Sequence, residues 1–188
     1  MRLRVALAAI VALFAAAGAA HAGGKGFDGP TIANPVRVPD FALRDQDGHL
    51  VRLSSERGNV VLLTFLYTHC LTLCPLTAVH LDSAASAFAR VRVLAVSVDP
   101  RSDTAASVRH FVRTHALHAE FHYLTGPAPM LQRIWSAYHV STARFGNHAY
   151  HTLYTMLVDQ QGRDRVLYDA TAEPKAIEHD IRLLLAGA

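Results

Sequence analysis

The chain has 188 residues, 51% of them hydrophobic and 18% charged, and carries a net charge of +3 from 18 basic and 15 acidic side chains. That is enough apolar chain for one domain with a core of its own, and it excludes intrinsic disorder. The basic residues are scattered, which argues against a nucleic-acid partner, and the only long uncharged apolar run is N-terminal, which excludes a polytopic membrane protein. Two features stand out: 12 histidines, and a single pair of cysteines, Cys70 and Cys74.

The first segment reads as an address. Arg2 and Arg4 precede the apolar run Val5 to Ala17, and Ala20-His21-Ala22 supplies the small-x-small pattern of a signal-peptidase site. The run is shorter than the roughly 20 residues of a spanning helix. The expectation is a signal peptide over 1–22, export to an oxidising periplasm, and cleavage after Ala22, with an uncleaved anchor as the alternative. Residues 23–39, with Pro30, Pro35 and Pro39, read as an extended linker or arm leading into a domain over 40–188.

Within that domain Phe41 to Leu53 reads as a hairpin turning at Asp45-Gln-Asp-Gly48. Asn59 to Tyr67 is a continuous apolar run rich in β-branched and aromatic residues, the pattern of a strand buried on both faces. A helix follows over Pro75 to Ala89, then a second buried strand over Val91 to Val98. Asp103 is placed to cap a helix running to about His115. A short strand at Phe121 to Leu124, a helix over Ala128 to Tyr138, a hairpin of Thr152 to Val158 with Arg165 to Tyr168, and a closing helix over Glu173 to Leu185 complete the order. This is an α/β sandwich with a mixed sheet, arranged as in thioredoxin-like folds with an added N-terminal hairpin.

The chemistry concentrates in Tyr67-Thr-His-Cys70-Leu-Thr-Leu-Cys74-Pro75, at the carboxyl end of the first buried strand and just before a helix. Sites of open α/β sheets lie outside such strand ends. Cys74, at the helix start, is expected to be favoured as thiolate by the helix dipole. A purely structural disulfide would close a loop too short to remove much unfolded-chain entropy. Two thiolates do not by themselves separate a disulfide exchanger from a metal site. The strand His151 to Asp159, read as antiparallel to Val60 to Leu66, brings His151 to the cysteine end of the sheet and suggests a Cys-Cys-His set. Such donors suit Cu(I), accept Cu(II), and leave Zn(II) as the competitor, although a structural zinc site wants a fourth ligand and neither His80 nor His148 has a familiar zinc spacing.

Three separated motifs, Tyr67-Thr-x-Cys70-x-x-x-Cys74-Pro75, Val96-Ser-Val-Asp99-Pro-x-x-Asp103-Thr104, and His151 ahead of Asp159, resemble the Sco/SenC copper-chaperone family over roughly residues 36–186. The resemblance implies a thioredoxin-like fold and copper held by Cys70, Cys74 and His151, with the acidic residue of the Asp-Pro loop near the metal. It also implies a role in assembling the binuclear copper centre of cytochrome c oxidase, by delivering copper or by reducing the acceptor's cysteines. The partner would be the oxidase subunit carrying that centre, or another periplasmic copper protein, and the chain itself a monomer whose metal-free cysteines form a reversible disulfide. Leu71 stands where the family usually has proline, Arg101 sits one place early in the Asp-Pro loop, and Tyr150 replaces a common aspartate.

The competing reading is a periplasmic thiol-disulfide oxidoreductase or peroxidase using Cys70 and Cys74. Against it stand the wide cysteine spacing and the absence of proline between Pro129 and Pro174. A copper-sensing protein would share the same ligands. His110, His115, His118 and His122 read as solvated surface. His69 could tune the Cys70 thiolate or serve as an alternative ligand, and Arg144 to His148 reads as a loop over the site. No phosphate loop or nucleophile elbow occurs. Mass spectrometry of the exported protein is expected to show a chain starting at Gly23; a mass that retains residues 1–22 would mean an anchor instead.

Overall fold

The apolar run around Leu62 becomes the central strand, and everything else is laid out from it. The computed structural model describes residues 26–145 and 148–187, so the signal-peptide reading falls outside the described residues. Strands β1 (Ala42–Arg44) and β2 (Leu50–Arg52) form the N-terminal hairpin as its own two-stranded sheet. Next come β3 (Val60–Leu66), α1 (Leu73–Ser86), β4 (Val91–Ser97), α2 (Ala105–Thr114), β5 (Phe121–Leu124) and α3 (Ala128–Ala137). A second small hairpin, β6 (Thr142–Phe145) with β7 (His148–His151), precedes β8 (Thr155–Val158), β9 (Asp164–Tyr168) and α4 (Pro174–Leu185).

The main sheet has the order β5-β4-β3-β8-β9, with β3, β4 and β5 parallel and β8 and β9 antiparallel to their neighbours. Every residue of β3 is buried. Because side chains alternate across a strand, Val60, Leu62 and Leu66 meet α1, α2 and α4 on one face, while Val61, Leu63 and Phe65 meet α3 and the β1–β2 hairpin on the other. The fold is the expected thioredoxin-like sandwich. Among the described residues, no helix is long and apolar enough to cross a membrane.

The N-terminal arm lies along the free edge of β9. Bridges join Thr31 to Val166 and Arg37 to Arg163, which removes an exposed strand edge. Its start is fastened by Asp180 of α4, fully buried, which accepts from the Asp28 and Gly29 amides at 2.6 and 3.0 Å and from the Tyr168 hydroxyl at 2.6 Å.

Three expectations are corrected. Helix α1 begins at Leu73, so Cys74 lies inside its first turn, and it ends at Ser86. The cap of α2 is Thr104, whose hydroxyl accepts from Ser107 N at 3.2 Å; Asp103 is turned inward and bonded elsewhere. His151 does not share a strand with Met156. The β3–β8 ladder stops at Thr64 opposite Thr155, where the Thr64 hydroxyl donates to the Tyr154 carbonyl at 3.0 Å, and His148–His151 pairs with β6 instead. Replacing Asp180 by alanine strands three donors, two of them amides of the arm. It is expected to lower the unfolding free energy by about 3 kcal/mol in chemical denaturation, with Tyr168→Phe costing less.

Candidate functional site

Residues 67–74 cross from the end of β3 to the start of α1, and their geometry follows from how a helix begins. The first amides of a helix have no partner within it. Thr72, at the cap position, offers no side-chain bond. The sulfur of Cys70 takes that place: Cys74 N donates to Cys70 Sγ at 3.2 Å, and the amides of Thr72 and Leu73 also point at it. Cys74, by contrast, is only 1% exposed and packs into the core beside Ala78 and Leu81.

This geometry assigns the charge. The Cys74 thiol donates to Cys70, and together with the helix amides this outweighs partial burial and brings the Cys70 thiol down to about 5. The same bond and deep burial push Cys74 strongly upward. The bonding thus favours Cys70 as thiolate and Cys74 as thiol, the reverse of the expectation drawn from sequence. Being nearer the helix start did not matter; what matters is which sulfur the free amides face.

Tyr67 connects the cysteines to His151. Its ring meets the His151 imidazole edge-on with centroids 5.8 Å apart. Burial first, then the neighbouring Cys70 and Cys74 sulfurs, push its hydroxyl up to about 12. His151 sits at the end of β7, half-buried, with Nδ1 3.0 Å from the Thr152 carbonyl. A carbonyl can only accept, so Nδ1 carries the proton and the Nε2 lone pair of the neutral ring is left available. Burial also lowers the His151 pKa, which favours that neutral form.

The structure joins Cys70 to Cys74 directly and sets His151 one ring away. Among the described residues, the clusters of metal-ligating atoms lying within 4.8 Å of one another are two other groups, so the three candidate ligands are neighbours that have not converged. His69 stands beside Cys70 with Nδ1 3.1 Å from Thr68 Oγ1. The side chain of His148 lies outside the description, while His80 bonds the Ala172 carbonyl, away from the cysteine loop. His118 is held at 2.7 Å by Asp82, which also accepts its backbone amide, a structural clamp between α1 and the loop before β5.

Sequence reasoning missed the support beneath the loop. Buried Asp103 accepts from Thr68 N at 2.9 Å, Thr68 Oγ1 at 2.7 Å, Ser97 Oγ at 2.6 Å and the Tyr123 hydroxyl at 3.3 Å. One carboxylate thus ties the cysteine loop to the ends of β4 and β5. Burial is the largest influence on its pKa, which is raised despite these bonds, with Asp99 adding repulsion. The signal was present in the Asp99-Pro-x-x-Asp103 spacing, but helix-start statistics favoured a cap.

A family model described as SCO1/SenC matches residues 30–186. The chain belongs to the SCO1/SenC family. The SCO1 protein homolog of Bacillus subtilis (strain 168) is 31% identical over 105 residues, covering 52% of this chain and 54% of that protein. The chain spans 54% of that protein and 40% of the mitochondrial SCO2 homolog of Bos taurus, about half the length of these two relatives. Among solved structures, Bradyrhizobium japonicum ScoI with copper bound superposes with a TM-score of 0.69 at 24% identity, over 79% of this chain and 99% of that one. BsSco is a member of the Sco family of cytochrome c oxidase assembly proteins, with an identified disulfide switch. It gives the same TM-score and identity over 84% of this chain and 99% of its own.

For this SCO1/SenC protein the asymmetry of the thiols has a direct readout. Only thiolate reacts with iodoacetamide, and thiolate forms as pH rises through the pKa. Peptide mapping is expected to find Cys70 alkylated with a midpoint near pH 5 and Cys74 unmodified until the protein unfolds. Preferential labelling of Cys74 would overturn the assignment.

Proposed function

We propose that this protein is an exported copper-binding assembly factor that serves the binuclear copper site of cytochrome c oxidase. Copper is its cargo, taken by Cys70, Cys74 and His151. The observation that carries the reading is the Cys70 thiolate at the start of α1, with the Cys74 thiol beneath it and the available Nε2 of His151 across Tyr67. Family membership and the copper held by Bradyrhizobium ScoI support it. Two soft sulfurs and one imidazole suit Cu(I) and tolerate Cu(II). Three ligands, one of them on a separate hairpin, leave an approach for an acceptor that a closed tetrahedron would deny.

The same pair supports reduction of an acceptor's disulfide. The Cys70 thiolate attacks one sulfur of that disulfide and expels the other as thiolate. Cys74 then gives up its proton and attacks Cys70, so the acceptor leaves as a dithiol and this protein as the disulfide. Cys70 is suited to attack because it is charged and accessible, and Cys74 to resolution because it is protonated and in contact. Export to the periplasm rests on the three-part N-terminal pattern.

Copper titration of the reduced protein is expected to give one equivalent. Cys70→Ser or Cys74→Ser should weaken binding by more than about a hundredfold, since each removes a soft donor. His151→Ala should weaken it less and shift the Cu(II)–thiolate absorption, while His69→Ala and His148→Ala leave both nearly unchanged. Because thiol and imidazole must lose protons to bind, affinity should fall as pH drops. Equal binding with both cysteines gone would end the proposal.

A further inference from the structure

The β1–β2 hairpin carries a donor cluster that the copper chemistry does not use. Asp45 opens its turn and is 5% exposed. The two oxygens of its carboxylate are divided between two tasks. Oδ1 accepts the Asp47 and His49 amides at 3.0 and 2.9 Å, which closes the turn. Oδ2 faces two imidazoles: Nδ1 of His122, on β5, lies 3.2 Å away and Nδ1 of His49 lies 3.6 Å away. Donor atoms of Asp45, Asp47 and His49 all fall within 4.8 Å of one another, and His122 stands outside that group, joined to it through Asp45 Oδ2.

The elements that carry these donors are fixed to each other. The Gln46 side chain donates to Phe121 O at 3.3 Å and accepts from Tyr123 N at 2.8 Å, so it pairs with β5 on both sides of His122. Arg44 of β1 adds an antiparallel backbone bridge to Thr125, the residue that follows β5. The nearby guanidinium groups bond carbonyls, Arg44 to Gly48 O and Arg109 to Gln46 O, and so brace the turn without using its carboxylates.

We propose that Asp45, Asp47, His49 and His122 form a second metal site that takes a borderline divalent ion of the zinc class. Two imidazoles and two carboxylates, with no thiolate, are donors for such an ion and not for Cu(I). In a tetrahedral site with bonds near 2.1 Å, neighbouring ligand atoms lie about 3.4 Å apart. The separations of 3.2 and 3.6 Å around Asp45 Oδ2 are of that size. The side chain of His49 is 79% exposed and free to close the remaining gap, whereas Asp45 and His122 are held. The bound ion would take the place of the hydrogen bond between His122 Nδ1 and Asp45 Oδ2 and would lock the hairpin to the sheet edge. The group Asp28, His179 and Asp180 offers no such chance, since the Asp180 carboxylate is already taken by two amides and Tyr168.

The test uses the full chain carrying Cys70→Ser and Cys74→Ser, so that no thiolate competes, titrated with Zn(II) by calorimetry and with Co(II) by visible absorption. One equivalent of Zn(II) and tetrahedral Co(II) bands are expected. Adding His49→Ala with His122→Ala should weaken Zn(II) binding at least tenfold and abolish the bands, with circular dichroism unchanged; Asp47→Ala, which leaves the turn-closing Asp45 in place, should weaken binding as well. His110→Ala with His115→Ala should change nothing. The proposal is overturned if no Zn(II) binds, if the His49/His122 variant binds as before, or if the loss appears instead in the His110/His115 variant. Because the cysteines are absent throughout, none of these results bears on copper.

Discussion

A helix that starts at the end of a buried strand has several amides pointing outward with nothing inside the helix to receive them. In this protein the acceptor is a sulfur. Cys70 Sγ receives the Cys74 amide, and the amides of Thr72 and Leu73 face it too. Capping of α1 and activation of the thiol are one interaction. The helix start is satisfied only if Cys70 carries electron density, and Cys70 holds its charge only while the helix start is in place. A neutral cap such as serine would serve the helix and lose the nucleophile.

The sheet makes that interaction available. β3 is buried along its whole length, which obliges α1 to begin at the outer end of the strand and turns the connecting loop toward the surface. Asp103 fixes the loop from below by holding Thr68 through both its amide and its hydroxyl, and it reaches β4 through Ser97 and β5 through Tyr123. Trp135 of α3 donates to the Ser97 carbonyl at 3.0 Å, so the opposite layer also braces this strand end. The cysteine loop therefore sits on supports from both faces of the sheet.

His151 stands on different ground. It belongs to the β6–β7 hairpin, outside the main sheet, and meets the cysteines through the Tyr67 ring. A hairpin carried on the sheet by a short connection can shift with less cost than a sheet strand can, because its ladder is its own. The proposed copper ligands are thus divided between two elements, two on a braced loop and the third on a hairpin with its own ladder.

The sequence alone determined the sandwich, the succession of its elements along the chain, the closing hairpin and the end of the sheet where the chemistry gathers. Those follow from local pattern: the unbroken apolar run before Cys70 must be buried on both faces, and parallel strands joined by helices open their sites at the carboxyl end. It also singled out Cys70, Cys74 and His151 by residue type and spacing. Only the tertiary structure decided which sulfur carries the charge, because that depends on where the free amides point and which thiol enters the core. Likewise Asp103 looks like a helix cap along the chain, yet it is drawn inward by donors on Thr68, Ser97 and Tyr123 that lie far apart in sequence. The pairing of His122 with Asp45 shows the same limit: two residues separated by 77 positions meet because a hairpin packs on a sheet edge, and no periodicity in either segment encodes that contact.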